Sequence, residues 1–470
     1  MKGINNKISI GEKIGYGLGD TASNLFFQIT IYYIMFFYTD VFKLNPKDIA
    51  TMFLLTRIWD AINDPIMGAI ADKTKTKWGT YRPYLLWTAI PFGIIFFFTF
   101  STPEAFGAEW SYVAKLVYAY ITYTLMMMIY TVINVPYAAL MGVISPSATE
   151  RTVISTFRFV LVFIAQFIVQ FALLHMVTKF GNGETNDFYG WQKAVAVLAS
   201  AAAVLFLITF FTTRERATVA VEEKHSFLTN VTDLWGNFPW LMIGGATFFQ
   251  LTFICLRGGD IAYYIQHVIG DQEVAGFGKL SSATLTTSYL LIGTFFTIAG
   301  AVLTKWFSNV LGKSRTYAAF MLITAISCAL VFFLKPHQVI PLFILQFITS
   351  FAMGPVSVLQ WAIYTDTAEY QEWKNNRRST AFIMAASLFA LKLGVAFGGA
   401  ALGWILAYHG YDQNAQVQTD MAKSGMHLAM SIYPALAALA AMAFMLFYPL
   451  NKNKLDEIES DLQERRKAKD

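Results

Sequence analysis

Long stretches without a single ionised side chain set the terms for this chain. No Asp, Glu, Lys or Arg falls between Asp20 and Asp40, Arg82 and Glu104, Lys115 and Glu150, or Arg158 and Lys179. The same holds from Lys193 to Arg214, Asp233 to Arg257, Lys279 to Lys305 and Arg315 to Lys335. It holds again from Lys335 to Asp366, Lys392 to Asp412 and Lys423 to Lys452. A helix needs about 20 mainly apolar residues to cross a hydrocarbon core of ~30 Å, and most of these eleven stretches are that long. The segment from about 46 to 71 makes a twelfth if a few ionised residues are admitted. One such run reads as a buried core helix, but twelve leave no solvated layer to cover them. Only 14% of the residues are charged, against about 25% in soluble domains. The expectation is an all-α integral membrane protein with twelve transmembrane helices in two pseudo-symmetric six-helix bundles.

The basic residues supply the orientation. With twelve spans the loops alternate sides, and 23 of the 35 Lys and Arg fall on the face that carries the N-terminus. Eight fall on the other face and four inside spans. The positive-inside rule then places both termini in the cytoplasm, and the net charge of +5 is a topology signal rather than a nucleic-acid footprint. The longest polar interruption on the cytoplasmic side divides the spans six and six, as for two repeats joined by a loop. The expected domains are an N-terminal bundle (1–213), a central loop (214–234), a C-terminal bundle (235–450) and a cytoplasmic tail (451–470). Leu455, Ile458 and Leu462 give the tail helical spacing, consistent with an amphipathic segment lying at the membrane surface. The N-terminus lacks the pattern of a cleaved leader. Cys255 and Cys328 read as small core residues.

An ionisable group inside a span costs about 2.5–3.5 kcal/mol at its centre and is a functional candidate by default. The densest group is Arg57-Ile58-Trp59-Asp60-Ala61-Ile62-Asn63-Asp64-Pro65. At 3.6 residues per turn Asp60 and Asp64 share a face, with Arg57 one turn earlier and Asn63 adjacent. Two carboxylates a turn apart in a low dielectric require a cation or proton between them, and Arg57 can neutralise only one. Thr131, on the face shared with Asn134, offers the neutral oxygen that a sodium site recruits, although threonines in helices also bond their own backbone. Lys392, deep in the eleventh span, needs a carboxylate partner, for which Asp60 and Asp64 are the candidates. Arg257 has Asp260 three residues on, the spacing of a local ion pair. Asp20, Asn24, Asn134, Arg158 and Arg257, set among aromatics that include Tyr130, offer the amides, charges and ring planes that suit a sugar.

The stretch from Arg57 to Gly68 closely resembles the second helix of the melibiose–cation symporters, members of the glycoside–pentoside–hexuronide:cation symporter family of the major facilitator superfamily. The resemblance continues through Tyr16-Gly17-Leu18-Gly19, Tyr38-Thr39-Asp40, Lys77-Trp78-Gly79 to Arg82-Pro83, and Val358-Leu359-Gln360 leading to Asp366-Thr367. It implies cation-coupled sugar import by alternating access, with Na+ or H+ as the coupling ion, no other cofactor, a site between two six-helix bundles, and residence in a bacterial cytoplasmic membrane. Position by position, it makes Asp60 and Asp64 the cation-binding carboxylates, Thr131 a hydroxyl ligand, Lys392 the lysine facing them and Arg158 a lining residue of the sugar site. Asn24 and Asn134 stand where the melibiose carriers have aspartates, and Ala138 stands where they have a tryptophan. Amides still bind hydroxyls, but two negative charges are gone, which makes the site less hostile to an anionic sugar such as a hexuronide; Asp20 restores one charge, and a neutral glycoside or pentoside stays the alternative. Two other readings are an amphipathic-lipid transporter on the same fold and a polytopic membrane enzyme. The polar cluster argues against the first, and the absence of a nucleophile, metal-ligand or phosphate-loop motif argues against the second.

Overall fold

A computed structural model of the protein describes residues 8–102, 104, 107, 109–145, 148–216, 232–274, 276–375 and 380–467. Most of the expected central loop (217–231), together with Arg377, Arg378 and the last three residues of the tail, lies outside the described residues. The chain divides into two compact units, one of Met1–Val221 with Asp412–Gln416 and one of Glu222–Tyr411 with Val417–Asp470.

The first unit contains α1 (Ile10–Tyr32), α2 (Pro46–Lys73), α3 (Arg82–Thr99), α4 (Tyr112–Ile144), α5 (Ala148–Phe180) and α6 (Phe188–Thr212). The second contains α7 (Phe238–Tyr263), α8 (Ser282–Val302), α9 (Lys313–Leu330), α10 (Val339–Asn375), α11 (Thr380–Tyr408), α12 (Asp420–Met430), α13 (Ile432–Leu446) and the tail helix α14 (Lys452–Lys467). Among the described residues, ten segments are long and apolar enough to cross a membrane, with α12 and α13 counted as one. Helices α1 and α2 are of spanning length but carry the ionisable residues of the site, which dilute their apolar character.

Local chemistry starts these helices where the sequence changes from polar to apolar. Ser9, Asn45, Ser111, Asp187, Asn237, Ser281 and Thr419 each accept a backbone N–H of the following first turn, satisfying donors the helix leaves open. The long apolar run from Lys423 to Lys452 is broken at Ser431, whose φ of −120° and ψ of −79° separate α12 from α13.

The neighbour order is the same in both units. In the first, α5 packs on α1, α1 on α6, α6 on α3, α3 on α4 and α4 on α2. In the second, α11 packs on α7, α7 on α13, α13 on α9, α9 on α10 and α10 on α8. Six helices of each unit therefore share one packing order, the signature of an internal repeat. Gly354 on α10 is required where that helix meets α8, because a Cβ there would collide with the backbone of Thr297 and Ala301.

The tail departs from expectation. Ile458 and Leu462 are buried in the apolar core of the second unit rather than lying at a surface. Trp373, at the end of α10, donates its indole N–H to Asp461 at 2.8 Å, lies 4.4 Å beneath the Lys454 ammonium and accepts Arg465 Nη1 on its carbonyl at 2.9 Å. The apolar stripe was correctly placed on one helix face, but α10 continues beyond the apolar run and offers that stripe a partner.

Candidate transport site

The first unit gathers most of the candidate residues. Thr131 on α4 donates its hydroxyl to Asp60 Oδ1 at 2.8 Å and lies 3.0 Å from Asp64 Oδ1. Asp60, Asp64 and Thr131 thus form one cluster, as helical spacing on α2 requires. Two oxygens that both reach Thr131 are within about 6 Å of each other, so two ionised carboxylates would repel by about 3 kcal/mol at an effective dielectric of ~20. Arg57 Nη1 stands 3.8 Å from Asp60 Oδ2, a loose contact that compensates one charge at most. Asn63 is half-buried beside the pair, and its side-chain amide N–H has no hydrogen-bond partner. Two carboxylate oxygens and a hydroxyl form a hard-oxygen donor set that fits a small monovalent cation.

A second polar group lies on α1, α4 and α5. Asp20 is buried and forms an ion pair with Arg158, whose guanidinium sits 5.7 Å from the Tyr137 ring. Tyr137 stacks on Tyr16 at 4.6 Å, and each hydroxyl donates to the other residue's backbone carbonyl. Asn24 donates to the Asp20 carbonyl at 2.9 Å and accepts Gln28 Nε2 at 3.3 Å. Asn134 donates to the Tyr130 carbonyl at 2.9 Å and accepts the Ser23 hydroxyl at 2.7 Å. Tyr130, one residue before Thr131 on α4, accepts Asn134 on its backbone carbonyl, so the amide and the hydroxyl ligand stand on the same stretch of helix. Ser23 and Gln28 did not stand out in the sequence. Their signal was position, one residue before Asn24 and one turn after it.

Two candidates lie in the second unit. Lys392 is half-buried on α11. Arg257 is buried on α7 and donates to the Tyr289 hydroxyl at 2.6 Å and to Gln346 Oε1 at 2.8 Å. The local ion pair with Asp260 does not form, because neutral acceptors on α8 and α10 draw the guanidinium away from its own helix.

Several motif residues support the scaffold instead. Glu215 accepts the backbone N–H groups of Thr80, Tyr81 and Arg82 at 2.7–3.0 Å, capping α3. Gly79 before them has φ +114°, and a Cβ there would meet the Glu215 carboxylate. Tyr81 donates to Asp72 at 2.8 Å, and burial reinforced by that carboxylate pushes the phenol up to about 12. Glu12 and Arg216 pair through two contacts of 2.7 Å, which raises the guanidinium above its ordinary value. Asp366 pairs with Lys313 at 2.7 Å.

The model of the MFS/sugar transport protein family matches residues 15–452. The chain is 36% identical to the inner membrane symporter YicJ of Escherichia coli (strain K12), over 97% of this chain and 95% of that protein. It is 34% identical to the putative glycoside/cation symporter YagG of the same organism, over 98% and 96%. Among solved structures, a D-xylose–proton symporter superposes with a TM-score of 0.64 at 14% identity, covering 94% of this chain and 98% of that one. The carboxylate cluster, the repeated six-helix packing order and these full-length similarities lead to one conclusion: the chain belongs to the sugar–cation symporter family of the major facilitator superfamily, the glycoside–pentoside–hexuronide:cation symporters.

Proposed function

We propose that this transporter imports a neutral glycoside or pentoside together with Na+ or H+, the cation binding at Asp60, Asp64 and Thr131. In this reading α1 and α2 complete twelve spans, both termini are cytoplasmic, and residues 1–213 and 235–450 are the two bundles. The observation that carries it is the Thr131 hydroxyl bridging two carboxylates on a membrane helix. A cation entering there relieves their repulsion and steadies α2 against α4. Asn134 is one turn from Thr131 on the same helix and donates to the Tyr130 carbonyl at 2.9 Å. Ordering this face therefore favours sugar binding around Asn24, Asn134 and Tyr130. Linkage is reciprocal, so sugar tightens cation binding by the same factor. The membrane potential and the cation gradient then drive accumulation. Lys392 is assigned to coupling on the family resemblance.

The choice of a neutral sugar rests on where the cations are committed. An anionic sugar needs an available positive charge, but Arg158 is paired with Asp20 and Arg257 is turned to Tyr289 and Gln346. The lost aspartates at Asn24 and Asn134 are thus not matched by an uncommitted arginine. Counterflow with labelled glycosides, pentosides and uronides, with and without sodium, tests the assignment. Neutral sugars should exchange and uronides should not; selective uronide exchange would reverse the choice. Asp60→Asn and Asp64→Asn should each abolish accumulation above equilibrium while retaining counterflow. Wild-type accumulation in both variants would remove these carboxylates from the cation site.

A further inference from the structure

Asp260 is fully buried on α7, and neither carboxylate oxygen has a hydrogen-bond partner. Among the described residues the cation that acts on it is Arg257, one turn earlier, which makes no ion pair with it. Arg257 spends its Nη2 on the Tyr289 hydroxyl of α8 and on Gln346 of α10. The Cys328 thiol of α9 also lies against the guanidinium and donates to the Met430 and Ser431 carbonyls at 3.3 Å. An ionised carboxylate left without donors in such a place is among the costliest arrangements a protein can hold, whereas the neutral acid is tolerated. One turn after Asp260 the helix changes to a π-turn, Tyr264–Ile269, a geometry common at functional sites.

We propose that Asp260 is a proton-binding residue of the second unit: it holds a proton while Arg257 engages Tyr289 and Gln346, and gives it up to water when Arg257 turns to it. One proton is bound and one released per cycle of this exchange, with no other bond changed. The charge of Arg257 stays constant, and only its partner alternates between neutral oxygens and a carboxylate. Among the described residues, the titratable groups around the exchange are Arg257 on α7, Tyr264 at the start of the π-turn, Tyr289 on α8 and Cys328 on α9. His427 on α12 stands behind the Tyr264 ring at 5.6 Å. On α11, Gly394 and Gly398 pack on Phe248 and Thr252, which leaves Lys392 roughly 20 Å along the helix pair from Asp260. The role in transport rests on the symporter reading above, but the protonation state does not.

Infrared spectroscopy of the full-length carrier in lipid vesicles, with no sugar present, tests the assignment. At neutral pH the wild type should show a protonated-carboxyl carbonyl band that is lost in Asp260→Asn. In Asp260→Glu the band should persist at a shifted frequency, which carries the test if the asparagine variant does not fold. In Arg257→Gln the band should survive to higher pH, because the cation that receives the carboxylate is gone. Identical bands in wild type and both Asp260 variants would show an ionised Asp260 and overturn the proposal. That result would leave the Asp60–Asp64 cation site, read by sodium-dependent counterflow, untouched.

Discussion

Thr131 has one hydroxyl proton and two carboxylates within reach, so it can donate to only one of them at a time. Its oxygen lies 2.8 Å from Asp60 Oδ1 and 3.0 Å from Asp64 Oδ1. Thr131→Ala should remove one ligand and cost about 1–1.5 kcal/mol, roughly a tenfold rise in the cation concentration for half-maximal stimulated uptake. Thr131→Ser should restore most of it, and an unchanged cation dependence in the alanine variant would place the cation elsewhere. This cluster was legible because the i, i+4 spacing on α2 puts Asp60 and Asp64 on one face whatever surrounds them. The Asp20–Arg158 pair was not, since its members are 138 residues apart and meet only because α1 packs on α5. Arg257 and Asp260 show the converse. Adjacent turns allow an ion pair, but rotamer choice, decided by Tyr289 and Gln346, sends the guanidinium elsewhere.

At the scale of the element, the loop between α2 and α3 shows how a motif can serve structure. Glu215 arrives from beyond α6 and accepts three N–H groups at the start of α3, where the helix dipole also favours an anion. Glu215→Ala should cost about 1–2 kcal/mol, as loss of a helix cap does. Thermal unfolding of the purified carrier in detergent measures this, and a transition within error of wild type would mean that water replaces the cap. The sequence marked Lys77-Trp78-Gly79 and Arg82-Pro83 as a unit, but the capping acid is over 130 residues away and no local pattern names it. Gly354 makes the analogous point inside the membrane. Gly354→Ala should overpack α10 against the α8 backbone at about 1–3 kcal/mol, seen as reduced yield of folded carrier. If yield and thermal transition are both unchanged, the two helices do not pack that closely.

At the scale of the whole molecule, the two units repeat one packing order, and the second adds a tail helix. Docking of α14 on the end of α10 predicts contrasting reactivity for cysteines on its two faces. A cysteine at exposed Glu457 should react with an impermeant maleimide only from the cytoplasmic side, as both termini inside require. One at buried Ile458 should react roughly tenfold more slowly, at the rate the tail opens. Equal rates would return α14 to a solvated tail, and labelling of Glu457→Cys from outside would invert the topology. Native Cys255 and Cys328 are buried and leave this readout clear.

The sequence by itself determined the all-helical membrane-spanning class and the face of α2 that carries Asp60 and Asp64. Each follows from local quantities: apolar length against bilayer thickness, and residue spacing against helical pitch. Only the tertiary structure decided which base neutralises which acid, which amide meets which hydroxyl, and where the tail lies. Those outcomes depend on which helices become neighbours and which rotamers their packing leaves open. Asp20 gained Arg158 and Asp260 was left without Arg257 for the same reason: in a medium without water, each buried cation turns to the best-placed oxygens that packing supplies.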